Sequence, residues 1–309
     1  MFIPGIQQPA VHIAVLVATK NRNDLLRHRS LPSILNQSLV PDTVVLVEDD
    51  RFLRPSVSQL LFEELFPHGH YLTNQRTPGA AGAWNTGLDF LLRNASCDVH
   101  NVWVAILDDD DYWEPSHLSV CAGKISASQD MVVSGLIRVE DVDDDVVHQS
   151  IPARLTADAL LVGNPHIQGS NLFVRLSSIL QAGLFDEQLS SCTDRDLCLR
   201  LCNIDTQVVS TGIHTVRHYA EAGRPRLSSP ASKEKHQGLE RFYQKYGPLM
   251  NAAQQEAFLD RAYRLFDWRF ENEGPISVQM PEREKLTPET IGFHLVLLSM
   301  YSANCPHRI

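Results

Sequence analysis

Apolar residues in the first third of the chain gather into short, β-branched runs: "VHIAVLVA" (11–18), "TVVLV" (43–47) and "WVAIL" (103–107). Each has the length of a strand and is bounded by polar or small residues. The segments between them repeat apolar positions every three or four residues, which predicts amphipathic helices. Alternation of this kind predicts a mostly parallel sheet covered by helices. In "NDLLRHRSLPSILNQS" (23–38) a proline inside a helix would be costly, so Ser30 is predicted to cap a new segment with Pro32 in its first turn. "GAAGAWNTGLDFLLRN" (79–94) opens on small residues and becomes amphipathic, the pattern of a helix whose N-terminal turn closely approaches something.

Beyond residue 130 the pattern loosens. "MVVSGLIRV" (131–139) and "SNLFVR" (170–175) read as strands, "TDRDLCLRLCN" (193–203) as a helix and "TQVVST" (206–211) as a final strand. From about residue 232 the chain is mostly helical in pattern, with "KEKHQGLERFYQKY" and "NAAQQEAFLDRAYRLFDWRF" the clearest stretches. No internal repeat or low-complexity linker interrupts it, so a helical C-terminal extension packed on an α/β body is expected.

Charge and composition narrow the function. With 27 basic against 37 acidic residues the net charge is −10, so the chain lacks the basic field that nucleic-acid binding requires. A nucleotide held through a metal is compatible with that balance. The opening "MFIPGIQQPAVHIAVLVA" has neither a basic n-region nor a small-residue cleavage pattern, so no export and a cytoplasmic location are expected. The longest other apolar stretch, "IGFHLVLLSMY" (291–301), is shorter than the ~20 residues of a bilayer span. It reads as a core or interface helix, with peripheral membrane contact the lesser reading. Six cysteines in such a chain read as reduced thiols. Cys198, Cys202, His214 and His218 come near zinc-finger spacing, but Leu197, Leu201 and Ile204 put both cysteines on an amphipathic helix.

Two acidic clusters, "VEDD" and "LDDDD", follow the second and third strands, where open parallel sheets place their ligands. Aspartates 108 to 111 raise one another's pKa unless something cationic sits among them. A hard divalent cation suits them, because it prefers carboxylate and phosphate oxygens and can bridge a side chain to a diphosphate.

These stretches together resemble the family 2 glycosyltransferases of GT-A fold, over roughly residues 10–220. "VLVATKNRNDLLRHRSLPSILNQSLVPDTVVLVEDD" is similar to that family's first strand, helix and second strand, and "GAAGAWNTGL" to its small-residue helix entry. "LDDDDYWEP" resembles its Leu-Asp-x-Asp-Asp stretch, and "GLFDEQLSSCTDRDLCLRL" the segment carrying its catalytic base. The resemblance implies a Rossmann-like GT-A sheet with a nucleotide-sugar-binding half (1–112), an acceptor-binding catalytic half (113–228) and the helical extension (229–309). It implies Ala18, Thr19, Asn21, Arg22, Asp49, Gly79, Asn85, Asp108 and Asp109 on the donor-nucleotide side, with Asp49 on the base. Asp110 would contact Mn2+ or Mg2+ directly, Asp109 would point away from the ion, and Asp111 would orient its neighbours or cap the helix near Pro115. Asp194 would be the catalytic base, with Thr193 where the family has glutamate and Trp84 where it has a basic residue. In "HTVRHYAEAGRPRLS" His218, or less well His214, would reach the metal, and Arg224 and Arg226 would cover the phosphates. The segment 167–175 would lie under the acceptor site.

The implied activity is inverting, metal-dependent transfer of a sugar from a nucleoside diphosphate, UDP being the family default, to an acceptor hydroxyl. Two rivals share the sheet: a sugar-1-phosphate nucleotidyltransferase, whose glycine-rich loop is replaced here by "VATKNRN", and a non-catalytic nucleotide- or sugar-binding protein. The helical tail is a candidate for covering the acceptor site, for a homodimer contact or for docking on a partner.

Overall fold

The computed structural model describes residues 11–50, 56–94, 97–140, 146–204, 206–220 and 232–270. The stretch 291–301, Arg224, Arg226, Cys305 and the acidic run 141–145 lie outside them. Strands β1 (His12–Thr19), β2 (Thr43–Glu48), β3 (His70–Thr73), β4 (Val102–Asp108), β5 (Tyr112–Trp113), β6 (Met131–Val139), β7 (Val146–Gln149), β8 (Leu172–Arg175) and β9 (Val208–Tyr219) form one sheet. Its order is β3-β2-β1-β4-β8-β6-β9-β5, with β7 paired to β6. Strands β3, β2, β1 and β4 are parallel throughout, as the alternation predicts. The far half is mixed: β8 runs antiparallel to both β4 and β6, and β6 is parallel to β9.

Helices α1 (Asn23–Leu25), α2 (Leu31–Leu35), α3 (Val57–Leu65), α4 (Ala80–Asn94), α5 (His117–Ala122), α6 (Ala157–Val162), α7 (Leu176–Gln181), α8 (Thr193–Cys202), α9 (Lys233–Tyr246) and α10 (Ala252–Phe266) complete the described residues. The expected cap at Ser30 is not formed. Residues Leu26–Ser30 make a π-helical turn instead, in which the Leu31 N–H reaches Leu26 O, and Ser30 stays helical with no side-chain capping bond. The longer turn carries the chain into Pro32, which occupies the start of α2, so no break is needed.

Side chains alternate across the strands into two apolar layers. Ala14, Leu16, Val104 and Ile106 face one side with Leu88, Leu197 and Leu199. Val15, Val17, Trp103 and Leu107 face the other with Leu26, Leu31, Phe62 and Leu118. Burying each large apolar side chain stabilises the fold by about 1.5–3 kcal/mol. The helical extension joins the first layer: Leu239, Phe242, Tyr246 and Phe258 belong to the same cluster as Leu16 and Ile106, and the Phe242 and Phe258 rings stack 5.9 Å apart.

Helix α4 lies close against β1, and Gly87 is what permits it. A Cβ at that position would lie 2.2 Å from Leu16 Cδ1 in a fully buried contact. Replacement Gly87→Val is therefore expected to destabilise the protein by about 1–3 kcal/mol through overpacking. Urea unfolding should show a lower midpoint at an unchanged slope.

Candidate functional site

Register brings the carboxyl ends of the parallel strands to one edge. Ala18 pairs with Asp108, Thr19 with Glu48, and Glu48 with Thr73. Asn21 turns the chain after β1 at φ 55°, a left-handed conformation that asparagine tolerates better than most residues. Its N–H donates to Glu48 Oε1 (3.1 Å) and its amide to Asp50 (2.6 Å). Glu48 is fully buried and also accepts from Ser58 Oγ (2.6 Å), so it ties the loop after β1 to α3. Next to it, Asp49 accepts from Lys20 Nζ (3.2 Å), Asn74 Nδ2 (2.6 Å) and the Gly79 N–H (2.9 Å). Gly79 has φ 124°, a conformation open to glycine, and its carbonyl receives the Ala83 N–H at the start of α4.

The four aspartates after β4 divide by direction. Asp109 turns inward, accepting from Thr19 Oγ1 (2.7 Å) and Arg22 Nη1 (2.9 Å). Burial and the neighbouring Asp110 nevertheless push its carboxyl up to about 6. Asp110 is 3.4 Å from the same Arg22 nitrogen, and its carbonyl accepts from Arg29 Nη1 (3.3 Å). Asp111 is fully buried and accepts from Ser170 Oγ (2.6 Å) and Gln168 Nε2 (3.0 Å), with His218 Nδ1 at 3.0 Å. It therefore orients the cluster rather than capping the helix near Pro115. Asp108 lies against Gly169, where a Cβ would come 3.1 Å from its Oδ1 and 3.2 Å from the Trp84 ring. Its carboxyl is pushed well above the usual range, first by burial and then by Asp111, Asp110, Asp109 and Asp194.

Asp194 stands in the first turn of α8 and accepts the Arg195 N–H at 2.7 Å. Burial raises its pKa, while Lys235 and Arg195 pull it back. Its charge is one of those acting on Asp108, so the two acidic segments feel each other electrostatically. Asp196, two residues on, points elsewhere: Arg200, Lys245 and Tyr246 surround its buried carboxylate.

Ala18, Thr19, Asn21, Arg22, Asp49, Gly79 and Asp108 to Asp110 thus share one edge, and His218 reaches it through Asp111. Asn85 is placed differently. Its amide bonds both the carbonyl (2.9 Å) and the N–H (3.0 Å) of Phe185 and Glu187 Oε1 (2.8 Å), so it joins α4 to the segment before α8. The segment 167–175, expected under the acceptor site, backs the aspartates through Gln168, Gly169 and Ser170. Glu48, Asn74 and Glu187 are contributors sequence reasoning missed, and Gln168 and Ser170 were placed only as part of the 167–175 segment, without their bonds to Asp111. "VEDD" pointed only to the acid after Glu48, and the others sit in segments without a charge run.

A cation fits this donor set only in company. Uncompensated carboxylate density at Asp108 is the environment a divalent ion would relieve. Among the described residues, however, no three histidine, cysteine or carboxylate side chains converge to hold a metal by themselves. The same holds for the zinc spacing: Cys198 is buried in α8, while His214 bonds Ser150 and packs on His148. An ion held by one or two carboxylates and completed by phosphate oxygens and water is the manner of Mg2+.

Comparison with known proteins bears on the family and the fold. The model of Glycosyl transferase family 2 matches residues 14–182, more than half of the chain and ending ahead of α8. Solved structures of like fold include S. aureus TarS 1–349 in complex with UDP-GlcNAc, at TM-score 0.58 and 16% identity over 96% of this chain and 82% of that one. The same fragment with UDP gives 0.55 and 16% over 94% and 89%, and S. aureus TarS gives 0.54 and 16% over 96% and 50%. The fold is accordingly of GT-A type, with a helical C-terminal extension. No curated protein matches the chain. No helix among the described residues is long and apolar enough to cross a membrane.

The Asn85 joint should be visible in the pH dependence of stability. Glu187 accepts from Asn85, Arg76 Nη1 (2.9 Å) and the Thr77 N–H (3.1 Å), and these bonds draw its pKa from 4.5 down to about 2 against the effect of burial. A depressed carboxylate stabilises the fold above its unfolded pKa and loses that contribution as pH falls through the folded one. The stability gap between wild type and Glu187→Gln, measured by urea unfolding, should be full above about pH 4.5 and close towards pH 2.

Proposed function

Because the chain belongs to glycosyl transferase family 2, we propose that it moves a sugar from a nucleoside diphosphate donor to an acceptor hydroxyl at the carboxyl edge of β1, β2 and β4. The observation that carries this reading is the placement of two acidic segments: Asp108 to Asp111 at the end of β4, and Asp194 in the first turn of α8, whose charge acts on Asp108. One suits a leaving diphosphate and the other an attacking hydroxyl. Residues 1–112 would form the donor half, 113–228 the acceptor half and 229–309 the helical extension. UDP is the favoured carrier, since the relatives of like fold include one holding UDP-GlcNAc.

Each residue then has a task. Asp194 takes the acceptor proton, and the burial that raises its pKa makes it a stronger base. In-line attack from the face opposite the diphosphate inverts the anomeric carbon. Asp49, fixed by Asn74 and Gly79, presents its carboxylate to the base of the nucleotide. Arg22 and Lys20 bring positive charge beside the phosphates. Asp110, with Asp108 beside it, would hold Mn2+ or Mg2+, which when bound offsets charge developing on the leaving diphosphate. Asp111 keeps His218 and the 168–170 loop in place at the end of β4.

Calorimetric titration of UDP, GDP, dTDP and CDP into metal-stripped protein, with and without Mn2+ or Mg2+, tests the donor side. Selective, metal-dependent binding of one diphosphate is expected, lost in Asp110→Asn; binding of none would sink the reading. On the acceptor side, Asp194→Asn should keep diphosphate affinity and lose about 10²–10⁴-fold in transfer rate, the usual range for a general base. Turnover near the wild-type rate in that variant would remove Asp194 as the base.

A further inference from the structure

Helix α9 grips the chain on both sides of Asp194. Before it, Ser190 Oγ donates to Glu234 O (2.8 Å), and Lys235 Nζ lies 3.7 Å from Cys192 Sγ. Gly238 lets the helix press directly on Ser191, for a Cβ there would stand 2.5 Å from its Oγ and 2.8 Å from its backbone oxygen. After Asp194, the buried Asp196 carboxylate receives Lys245 Nζ (2.7 Å) and Tyr246 OH (2.6 Å), and Lys245 also reaches Asp186 (2.6 Å). Between these holds, Arg195 lies 4.0 Å over the Phe242 ring of α9 and 5.3 Å over Phe258 of α10, and donates to the carbonyls of Leu160 (2.5 Å) and Leu161 (2.8 Å).

Consecutive residues of a helix point about 100° apart. Fixing Arg195 and Asp196 therefore fixes the rotation of the first turn of α8, and with it the direction of Asp194. The approach to that turn is also strained into place, since Cys192 precedes it in a left-handed conformation at φ 66°. We propose that α9 is a positioning element of the transferase, in which Gly238, Lys245 and Tyr246 set where the Asp194 carboxylate stands. This rests on Asp194 being the base. Misplacement of a reacting group by about 1 Å can cost 10²-fold in rate, so a helix that never touches substrate can govern turnover.

The test uses the full chain carrying Lys245→Met with Tyr246→Phe, with Gly238→Val as a second route to the same displacement. Hydrogen exchange is expected to accelerate in residues 188–198 while β4 stays as protected as in wild type. Hydrolysis of UDP-GlcNAc to UDP and GlcNAc, with water as the acceptor, should fall at least tenfold in kcat with UDP affinity within twofold, and Lys245→Arg should retain most of the rate. Unchanged exchange in 188–198, or acceleration spread evenly through β4, overturns the proposal; so does accelerated exchange with kcat within twofold of wild type. Asp194→Asn separates the two readings. If it still turns over, the base is misassigned and the positioning role goes with it. If it is inactive while the α9 variants turn over normally, only the positioning role falls.

Discussion

Carboxylates on four consecutive residues can share the end of one strand only if each meets a different environment. Repulsion among them would otherwise drive protons on and erase the site's charge. Asp109 is turned into Thr19 and Arg22 and Asp111 into Ser170, Gln168 and His218, which leaves the repulsion concentrated on Asp108 beside Gly169. The partners come from the loop after β1, the turn before β8 and the last strand of the sheet. Much of the topology can be understood as bringing those three segments to the end of β4.

How much of this was legible depended on sequence distance. β1, β2 and β4 were plain because strands buried on both faces read as unbroken apolar runs. β3 escaped notice: "HYLT" is four residues at the sheet edge, half polar, with no run to mark it. β9 was read only as far as residue 211, because "GIHTVRHY" alternates polar and apolar positions and crosses an irregular register with β6 around Gly135. The aspartates announced themselves as a group; Gln168 and Ser170 lie some sixty positions away and carry no charge. Asn85 was recognised as part of a pattern, yet its amide faces the 185–187 segment, a direction that spacing along a chain cannot give.

The loop and helix after β3 are therefore coupled to the segment before α8 through polar joints as well as through the shared apolar layer, in which the Trp84 and Phe185 rings lie 4.8 Å apart. Glu187 gathers Asn85, Arg76 and Thr77 from α4 and the loop before it, and Arg76 is also paired with Asp89 of α4. A few residues later the same chain enters α8. Such a bridge transmits geometry, because charge-assisted hydrogen bonds tolerate little angular change.

The π-helical turn at Leu26–Ser30 has a consequence for chain length. By taking up one residue more than an α-turn would, it shifts the angular phase of the side chains after it by about 100°. Within the turn itself, the Arg29 guanidinium stands 4.0 Å over the Tyr219 ring and donates to the Asp110 carbonyl. Shortening the segment by a single residue would remove the extra residue of the π turn and rotate α2 relative to the acidic strand end. At the rim of the site the number of residues in this turn therefore constrains the geometry in a way that their identity alone does not.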